Sequence, residues 1–262
     1  MSTESPTAAT GSTYAPRPGA APTTARWLAQ SRLEWRQLMT NGEQLLLTLV
    51  IPVAALIAVR LLDLGSLSSA TPGVMALAIL SSAFTATAIA TGFERRSGVL
   101  KFLGATPLGR SGLLVGKVGA TFAVIVVQLT LISVTALLLG WEPAPLGLSG
   151  AIALVALVGL GTLALGAWGF ALAGVLRAEA TLAVANAIFL LLLFAGGTLL
   201  STERMPGAVG TLVSLIPSGA LGNGLRSVLD PAFGGSPWVS ALVLAAWAVG
   251  GIAVAVRTFR WE

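Results

Sequence analysis

The chain has 262 residues, of which 55% are hydrophobic and only 10% are charged. A soluble domain is about 45–50% apolar and about 25% charged, so this composition predicts an integral membrane protein. The formal net charge is +5, and the chain contains neither cysteine nor histidine, which excludes disulfides, thiolate nucleophiles, histidine bases and metal sites built from either residue.

The N-terminal region divides into two segments. Residues 1–25 are rich in Ser, Thr, Pro, Ala and Gly and lack the apolar core of a signal peptide, so we interpret them as a disordered cytoplasmic tail. Residues 26–42 are predicted to form an amphipathic helix at the membrane interface, with Arg26, Arg32 and Arg36 off its apolar stripe. The alternative is a surface anchor with no further role. The predicted stripe consists of Trp27, Leu28, Ser31, Trp35, Leu38 and Met39.

Six apolar stretches follow, and each is close to the roughly 20 residues that a helix needs to cross the hydrocarbon core. The apolar runs are continuous rather than alternating, which favours helices over a barrel. We therefore predict an all-α membrane protein whose residues 43–262 form one domain of six transmembrane helices, with Pro52 kinking the first. The predicted spans are residues 45–62, 73–93, 118–140, 150–176, 180–200 and 238–256.

The distribution of basic residues predicts the orientation. Twelve of the 15 Lys and Arg residues lie before the first span, after the sixth, or in the loops that follow the second and fourth spans. The remaining three lie on the other side. By the positive-inside rule, both termini are predicted to be cytoplasmic in a plasma or inner membrane. Because the basic residues flank apolar runs along the whole chain, they do not indicate a nucleic-acid partner.

The loop before the last span is predicted to be external and to contain two short apolar segments, 208–216 and 218–229. Prolines 206, 217 and 231 bracket them, and neither segment is long enough to cross a membrane. We predict extracellular re-entrant helices here. An ordinary loop that packs on the bundle is the alternative.

The spans carry little chemistry. No Asp or Glu lies inside any of them, which argues against proton coupling, although sodium coupling through backbone carbonyls stays open. Residues 112–117 resemble a phosphate loop but have three residues between the glycines instead of four, so no cofactor is expected on this chain. Polar residues inside the spans either line a pathway or join helices; they include Gln128 and the four favoured pathway candidates Thr85, Thr87, Thr91 and Asn186.

The loop between the second and third spans carries the clearest signal. Gly98 and Pro107 bracket a predicted short helix, on which Val99, Phe102 and Leu103 form an apolar surface at i, i+3 and i+4. A loop this small cannot bury such a surface against itself, so the surface needs a partner, either lipid headgroups or a groove on another protein.

The same loop resembles the signature loop of ABC-2-type exporter permeases, which include drug-resistance permeases and polysaccharide exporters. The resemblance rests on Glu94-Arg95-x-x-Gly98-x-Leu100-x-x-Leu103, then Thr106-Pro107-Leu108 and Gly116-Lys117. The segment from Asn41 to Pro52 and the sequence Leu215-Ile-Pro217 followed by Arg226 are similar to the same family, so the resemblance extends from about Arg26 to Arg260.

This resemblance implies a dimer with a second copy or a sister permease, and a separate ABC ATPase subunit that binds ATP and magnesium. It also implies that the N-terminal amphipathic helix is a connecting helix and that the ATPase docks on the short cytoplasmic helix. The coupling residues that it implies are Glu94, Arg95, Arg96, Gly98, Val99, Leu100, Lys101, Phe102 and Leu103.

The sequence as a whole therefore predicts a transport subunit without enzymatic activity of its own. Its spans offer hydroxyl and amide groups but no charge, which favours an amphipathic or lipid-like cargo. Two alternatives stay open, an ion-coupled secondary transporter and a non-transporting membrane scaffold or sensor. A membrane enzyme is the least favoured reading, because histidine, cysteine and intramembrane acids are absent from the sequence.

Overall fold

The computed structural model describes residues 21–40, 42, 46–196 and 207–258, which form helices joined by turns and contain no strand. The predicted tail up to residue 20, residue 41 of the predicted amphipathic helix, residue 45 of the first span and 197–200 of the fifth lie outside these ranges, as do residues 43–44, 201–206 and 259–262.

The helices are numbered here in chain order. They are α1 Thr23–Thr40, α2 Ile51–Leu61, α3 Leu67–Arg96, α4 Val99–Gly104, α5 Gly109–Leu138, α6 Leu148–Val175, α7 Ala178–Ala195, α8 Gly207–Ser214, α9 Pro217–Leu229 and α10 Pro237–Thr258. Two π-helical segments interrupt them, Leu46–Val50 directly before α2 and Leu80–Ala86 within α3.

Four helices in the described ranges, α3, α5, α6 and α10, are long and apolar enough to cross a membrane. The pair α8 and α9, bent by 98° at its break, would make a fifth if it forms one broken span. The sequence predicted six spans. The two that fall short are α2 and α7; residues 43–45, before the π segment that leads into α2, and residues 197–206, just beyond α7, lie outside the described ranges. With 18 residues, α7 extends about 27 Å, slightly less than the hydrocarbon core.

The π segment before α2 has a local cause. Pro52 has no backbone N–H, so the carbonyl of Thr48 cannot receive the usual i→i−4 hydrogen bond from it. The amide nitrogen of Gln128 on α5 donates to that carbonyl at 3.1 Å, and its amide oxygen accepts a bond from the Ser82 hydroxyl at 2.9 Å. Ser82 belongs to the second π segment, so one buried side chain joins both irregular turns.

Glycines on α6 allow two other helices to approach closely. A Cβ at Gly169 would lie 2.8 Å from the carbonyl oxygen of Phe84 in the π segment of α3, and one at Gly161 would lie 2.8 Å from Leu221 on α9. Every residue of α9 except Ser227 is buried. This helix therefore inserts among α3, α6 and α10 and belongs to the core of the bundle.

Candidate functional site

The short helix predicted between Gly98 and Pro107 is present as α4. Gly98 precedes it with φ of 79°, a left-handed conformation that suits glycine, and so turns the chain out of α3. Leu100 is fully buried against Leu113 near the start of α5, and Leu103 packs on the same small cluster. The prediction that this loop cannot bury apolar side chains against itself was thus wrong for Leu103, because α5 folds back beside α4.

The apolar surface that α4 leaves open consists of Val99 and Phe102. Val99 is 41% exposed and Phe102 is 76% exposed. Lys101, between them, is also exposed. The buried side chain of Leu100 holds α4 in place, so the exposed ring of Phe102 has a fixed position. A fixed, exposed apolar side chain can bind in a groove on another protein.

Two arginines at the end of α3 fasten this loop to the junction of α6 and α7. Arg95 donates to the carbonyl oxygen of Gly174 at 2.8 Å and also to that of Leu176, where the last carbonyls of α6 lack helical partners. Arg96 forms an ion pair with Glu179 in the first turn of α7. Both of these charged side chains are exposed, so the pair contributes at most about 1 kcal/mol.

A buried ion cluster joins three helices behind α4. The ammonium of Lys117 on α5 lies 2.9 Å from a carboxylate oxygen of Glu34 on α1 and 2.6 Å from the carboxylate of Glu94 on α3. Gln30 donates to the other oxygen of Glu34 at 2.7 Å. Lys117 and Glu34 are buried, and Glu94 is mostly so. Two carboxylates against one ammonium give the cluster an excess of negative charge when all three are ionised.

Helix α1 reaches this cluster because α5 presents glycines to it. A Cβ at Gly116 would lie 2.4 Å from Cγ of Gln30, and one at Gly112 would lie 3.0 Å from the Trp27 ring. Small residues four apart allow such close helix packing. The motif that resembled a phosphate loop in the sequence therefore forms a helix–helix contact.

The buried face of α1 differs from the predicted apolar stripe. Gln30 and Glu34 are its buried residues, whereas Leu28, a member of the predicted stripe, is 71% exposed. The polar face turns inward because Lys117 provides a partner for Glu34, and a paired charge can be buried where an unpaired one cannot.

A small polar cavity lies beside the ion cluster, between α1, α3 and α5. Its volume is about 40 Å³, enough for two or three water molecules. Glu34, Lys117, Thr121 and two of the predicted pathway residues, Thr87 and Thr91, line it.

The four predicted pathway residues do not converge on one place. Thr87 donates to the carbonyl oxygen of Ser82 at 3.2 Å, and Thr91 is buried at the polar cavity. Thr85 is half-buried outside that cavity, and Asn186 is exposed on α7.

No match was found among curated proteins. The family described as "ABC-2 family transporter protein" matches residues 60–257, which is about three quarters of the chain and runs from the end of α2 to the last turn of α10. Helix α1 lies outside the matched range. Permeases of this family are generally non-catalytic and work with a separate ABC ATPase subunit. The chain belongs to the ABC-2 transporter family, and it is a multi-pass membrane permease of an ABC transporter.

Proposed function

We propose that this chain is the permease subunit of an ATP-driven exporter and that its ATPase partner, which binds ATP and magnesium, docks on α4. The observation that supports this most directly is the geometry of α4. Its exposed residues Val99 and Phe102 project from a helix that Leu100 anchors to α5. A push on Phe102 is therefore transmitted to the bundle instead of bending a loose loop.

The contacts behind α4 give a physical route for such a push. The end of α3 is bonded to α6 and α7 through Arg95 and Arg96, and to α1 and α5 through Glu94 and Lys117. We propose that these contacts hold the coupling residues as one unit, so that ATP binding on the partner biases inward-open against outward-open arrangements.

A second permease copy, or a sister permease, completes the pathway in this proposal. Asn186 lies near the middle of the apolar helix α7 and is exposed. An amide facing hydrocarbon lacks hydrogen-bond partners, and such polar groups in spans normally face another helix or a water-filled cavity. We therefore propose that the Asn186 face of α7 lies against the second copy or on the pathway, with six spans per chain and both termini cytoplasmic.

The proposed cargo is amphipathic or lipid-like. The candidate pathway residues Thr85, Thr87, Thr91 and Asn186 supply hydroxyl and amide groups without charge. Such a surface binds polar groups by hydrogen bonds and tolerates apolar chains. Efflux of a strongly charged, lipid-free solute at a rate equal to that of an amphipathic dye would contradict this assignment.

The test is affinity purification of the tagged chain from native membranes in mild detergent, followed by mass spectrometry. We expect a stoichiometric Walker-motif ATPase with the wild-type chain and its loss with Phe102→Asp, because a carboxylate cannot enter an apolar groove without a large desolvation cost. Leu64→Asp is the matched control. Leu64 is 67% exposed in the loop between α2 and α3, which is predicted to lie on the opposite side of the membrane.

The outcomes separate the three classes of function. Loss of the ATPase in Phe102→Asp and its retention in Leu64→Asp supports docking on α4. A preparation that contains no ATPase even after crosslinking contradicts the proposed ATP-driven export by this chain. Transport in vesicles driven by a sodium or proton gradient alone would then indicate a secondary transporter. An unchanged phenotype in Thr87→Trp would indicate a scaffold, because the bulky ring seals the polar cavity.

A further inference from the structure

We infer that an anionic phospholipid binds in two adjoining grooves on α5, with its phosphate at Arg32 of α1 and an acyl chain between α5, α6 and α10. This site is separate from the ion cluster and from the exposed surface of α4. It goes beyond the proposed transport role and does not depend on it.

The first groove lies between α1 and α5 and has a volume of about 560 Å³. Its wall on α5 is made of the small residues Gly119, Ala120 and Ala123, which leave a slot along the helix. On the α1 side, Arg32 and Trp35 line it. Tryptophan beside arginine is typical of side chains at the level of the lipid headgroups.

The second groove lies between α5, α6 and α10 and has a volume of about 600 Å³. Its lining is almost entirely apolar, with Phe122, Leu163 and Ile252 among its residues. Gly119 lines both grooves, and it carries no side chain that would separate them. Together they offer a polar end and a long apolar end, which matches an amphipathic molecule with an acyl chain.

The grooves lie toward one end of the bundle. The lining residues of α10 in the second groove, Ile252, Ala255 and Val256, fall within its last two turns, and Gly119 is in the first half of α5. The arginines of α1 lie at this same end, since α1 packs on the first half of α5. A lipid in the grooves therefore belongs to the leaflet next to these basic residues, which the positive-inside rule assigns to the cytoplasm.

Charge complementarity selects an anionic lipid. Arg32 is exposed at the rim of the first groove, and its side chain has neither a hydrogen bond nor an ion pair with any described residue. It is the charged residue that lines this groove, and the second groove has no charged lining residue among those described. A headgroup phosphate with net negative charge pairs with a free guanidinium, and an acyl chain fills the apolar groove beyond it.

The test uses the full chain purified in detergent and titrated with phosphatidylglycerol or phosphatidylcholine of identical acyl chains. Retained lipid is counted by native mass spectrometry, and the thermal unfolding midpoint is followed by tryptophan fluorescence. We expect tight retention of one phosphatidylglycerol and a higher midpoint than with phosphatidylcholine. Arg32→Gln is expected to weaken that retention about fivefold, the factor to which roughly 1 kcal/mol per arginine corresponds, while Arg32→Lys keeps most of it.

Arg177→Gln is the matched control. Arg177 is exposed between α6 and α7, lines neither groove and carries the same charge. Leu163→Trp, which fills the second groove, is a second variant and is expected to reduce retention without removing any charge.

Equal retention of the two lipids overturns the proposal, because the grooves would then be solvated by any lipid. An equal loss in Arg32→Gln and Arg177→Gln overturns it as well, because attraction would then be a property of the whole basic surface. A second copy of the chain covering the grooves would appear as a dimer that retains no lipid, and this also contradicts the proposal.

Discussion

At the scale of single residues, Lys117 is the group on which the candidate site depends most. Its ammonium is the shared ion-pair partner of two carboxylates that come from different helices, Glu34 and Glu94. Buried ion pairs add little net stability compared with apolar replacements, but removal of one partner leaves an uncompensated charge away from water. The ion cluster therefore holds α1, α3 and α5 together, because moving one of these helices away would leave a buried charge without its partner.

We predict that Lys117→Met destabilises the protein by about 3–5 kcal/mol, because Glu34 and Glu94 lose their shared counter-ion while they stay buried. The measurement is the unfolding midpoint in detergent. Lys101→Met is the control, since Lys101 is exposed on α4 and should change stability by less than about 0.5 kcal/mol. The triple variant with Glu34→Gln and Glu94→Gln added should recover most of the loss; a triple variant as unstable as Lys117→Met alone would contradict an electrostatic origin.

The ion cluster could not be predicted from the sequence, although one of its residues, Lys117, belongs to a recognisable sequence motif. Lys117 belongs to the phosphate-loop-like segment 112–117 and to the Gly116-Lys117 pair that resembles the family, and no local pattern gives Glu34 a role. Their pairing joins residues 83 positions apart, and no local periodicity encodes such a distance. The available signal was the Gly112–Gly116 spacing directly before a lysine that enters an apolar run, which indicates a close-packed helix with a charge to satisfy.

At the scale of helices, local sequence patterns predicted where helices form better than they predicted which helix faces are buried. Helix α4 occupies Val99–Gly104, inside the segment that Gly98 and Pro107 bracket, because these two residues act on the backbone locally. Which of its faces is covered depends on Leu113, which belongs to the next helix. The periodicity of α1 predicted a helix with an apolar stripe for the membrane interface, whereas the face that packs on the protein is set by the glycines and Lys117 of α5, which the periodicity of α1 does not encode.

The contact between α1 and α5 gives a prediction at this scale. Gly116→Ala would place a Cβ 2.4 Å from Cγ and 2.9 Å from Cβ of Gln30, atoms close to the backbone of α1 that cannot move without the helix. We expect displacement of α1, a loss of about 1–3 kcal/mol from overpacking and faster tryptic cleavage at Arg32 and Arg36.

The same substitution at Gly250 on α10 is the control. A Cβ there meets no atom within 4 Å, so Gly250→Ala should be neutral or stabilising by up to about 1 kcal/mol. If both variants are equally stable and equally resistant to trypsin, α1 is not held by the close approach of its backbone to α5.

At the scale of the whole molecule, the number of membrane crossings depends on α2 and α7. The charge distribution favours six crossings, because 12 of 15 basic residues fall on one side only if both helices cross. Length alone favours four, or five with the bent pair α8 and α9. Sequence composition could establish the membrane class, but the described helices of these two segments are short, and the residues that would extend them are not described.

We predict six crossings, and the absence of native cysteine makes single-cysteine labelling with a membrane-impermeant maleimide a direct measurement. One pair of sites brackets each of the two short helices: Thr24 and Leu64 for α2, Arg177 and Gly207 for α7. Opposite accessibility within a pair means that the helix crosses. We expect Leu64→Cys and Gly207→Cys to react in intact cells, and Thr24→Cys and Arg177→Cys to react only after permeabilisation.

Ser236→Cys completes the experiment, because Ser236 follows the bent pair and precedes α10. If α8 and α9 form a re-entrant pair, the chain returns to the side from which it entered, and Gly207→Cys and Ser236→Cys label alike. If they form one broken span, the two label oppositely, and Ser236 then lies on the same side as Arg177. That second result would carry both ends of α10 to the sides opposite those predicted and would move Arg257 to the external face, against the positive-inside rule. Because the buried position of α9 fits either path, this last pair of sites decides whether α9 is a re-entrant helix or half of a span.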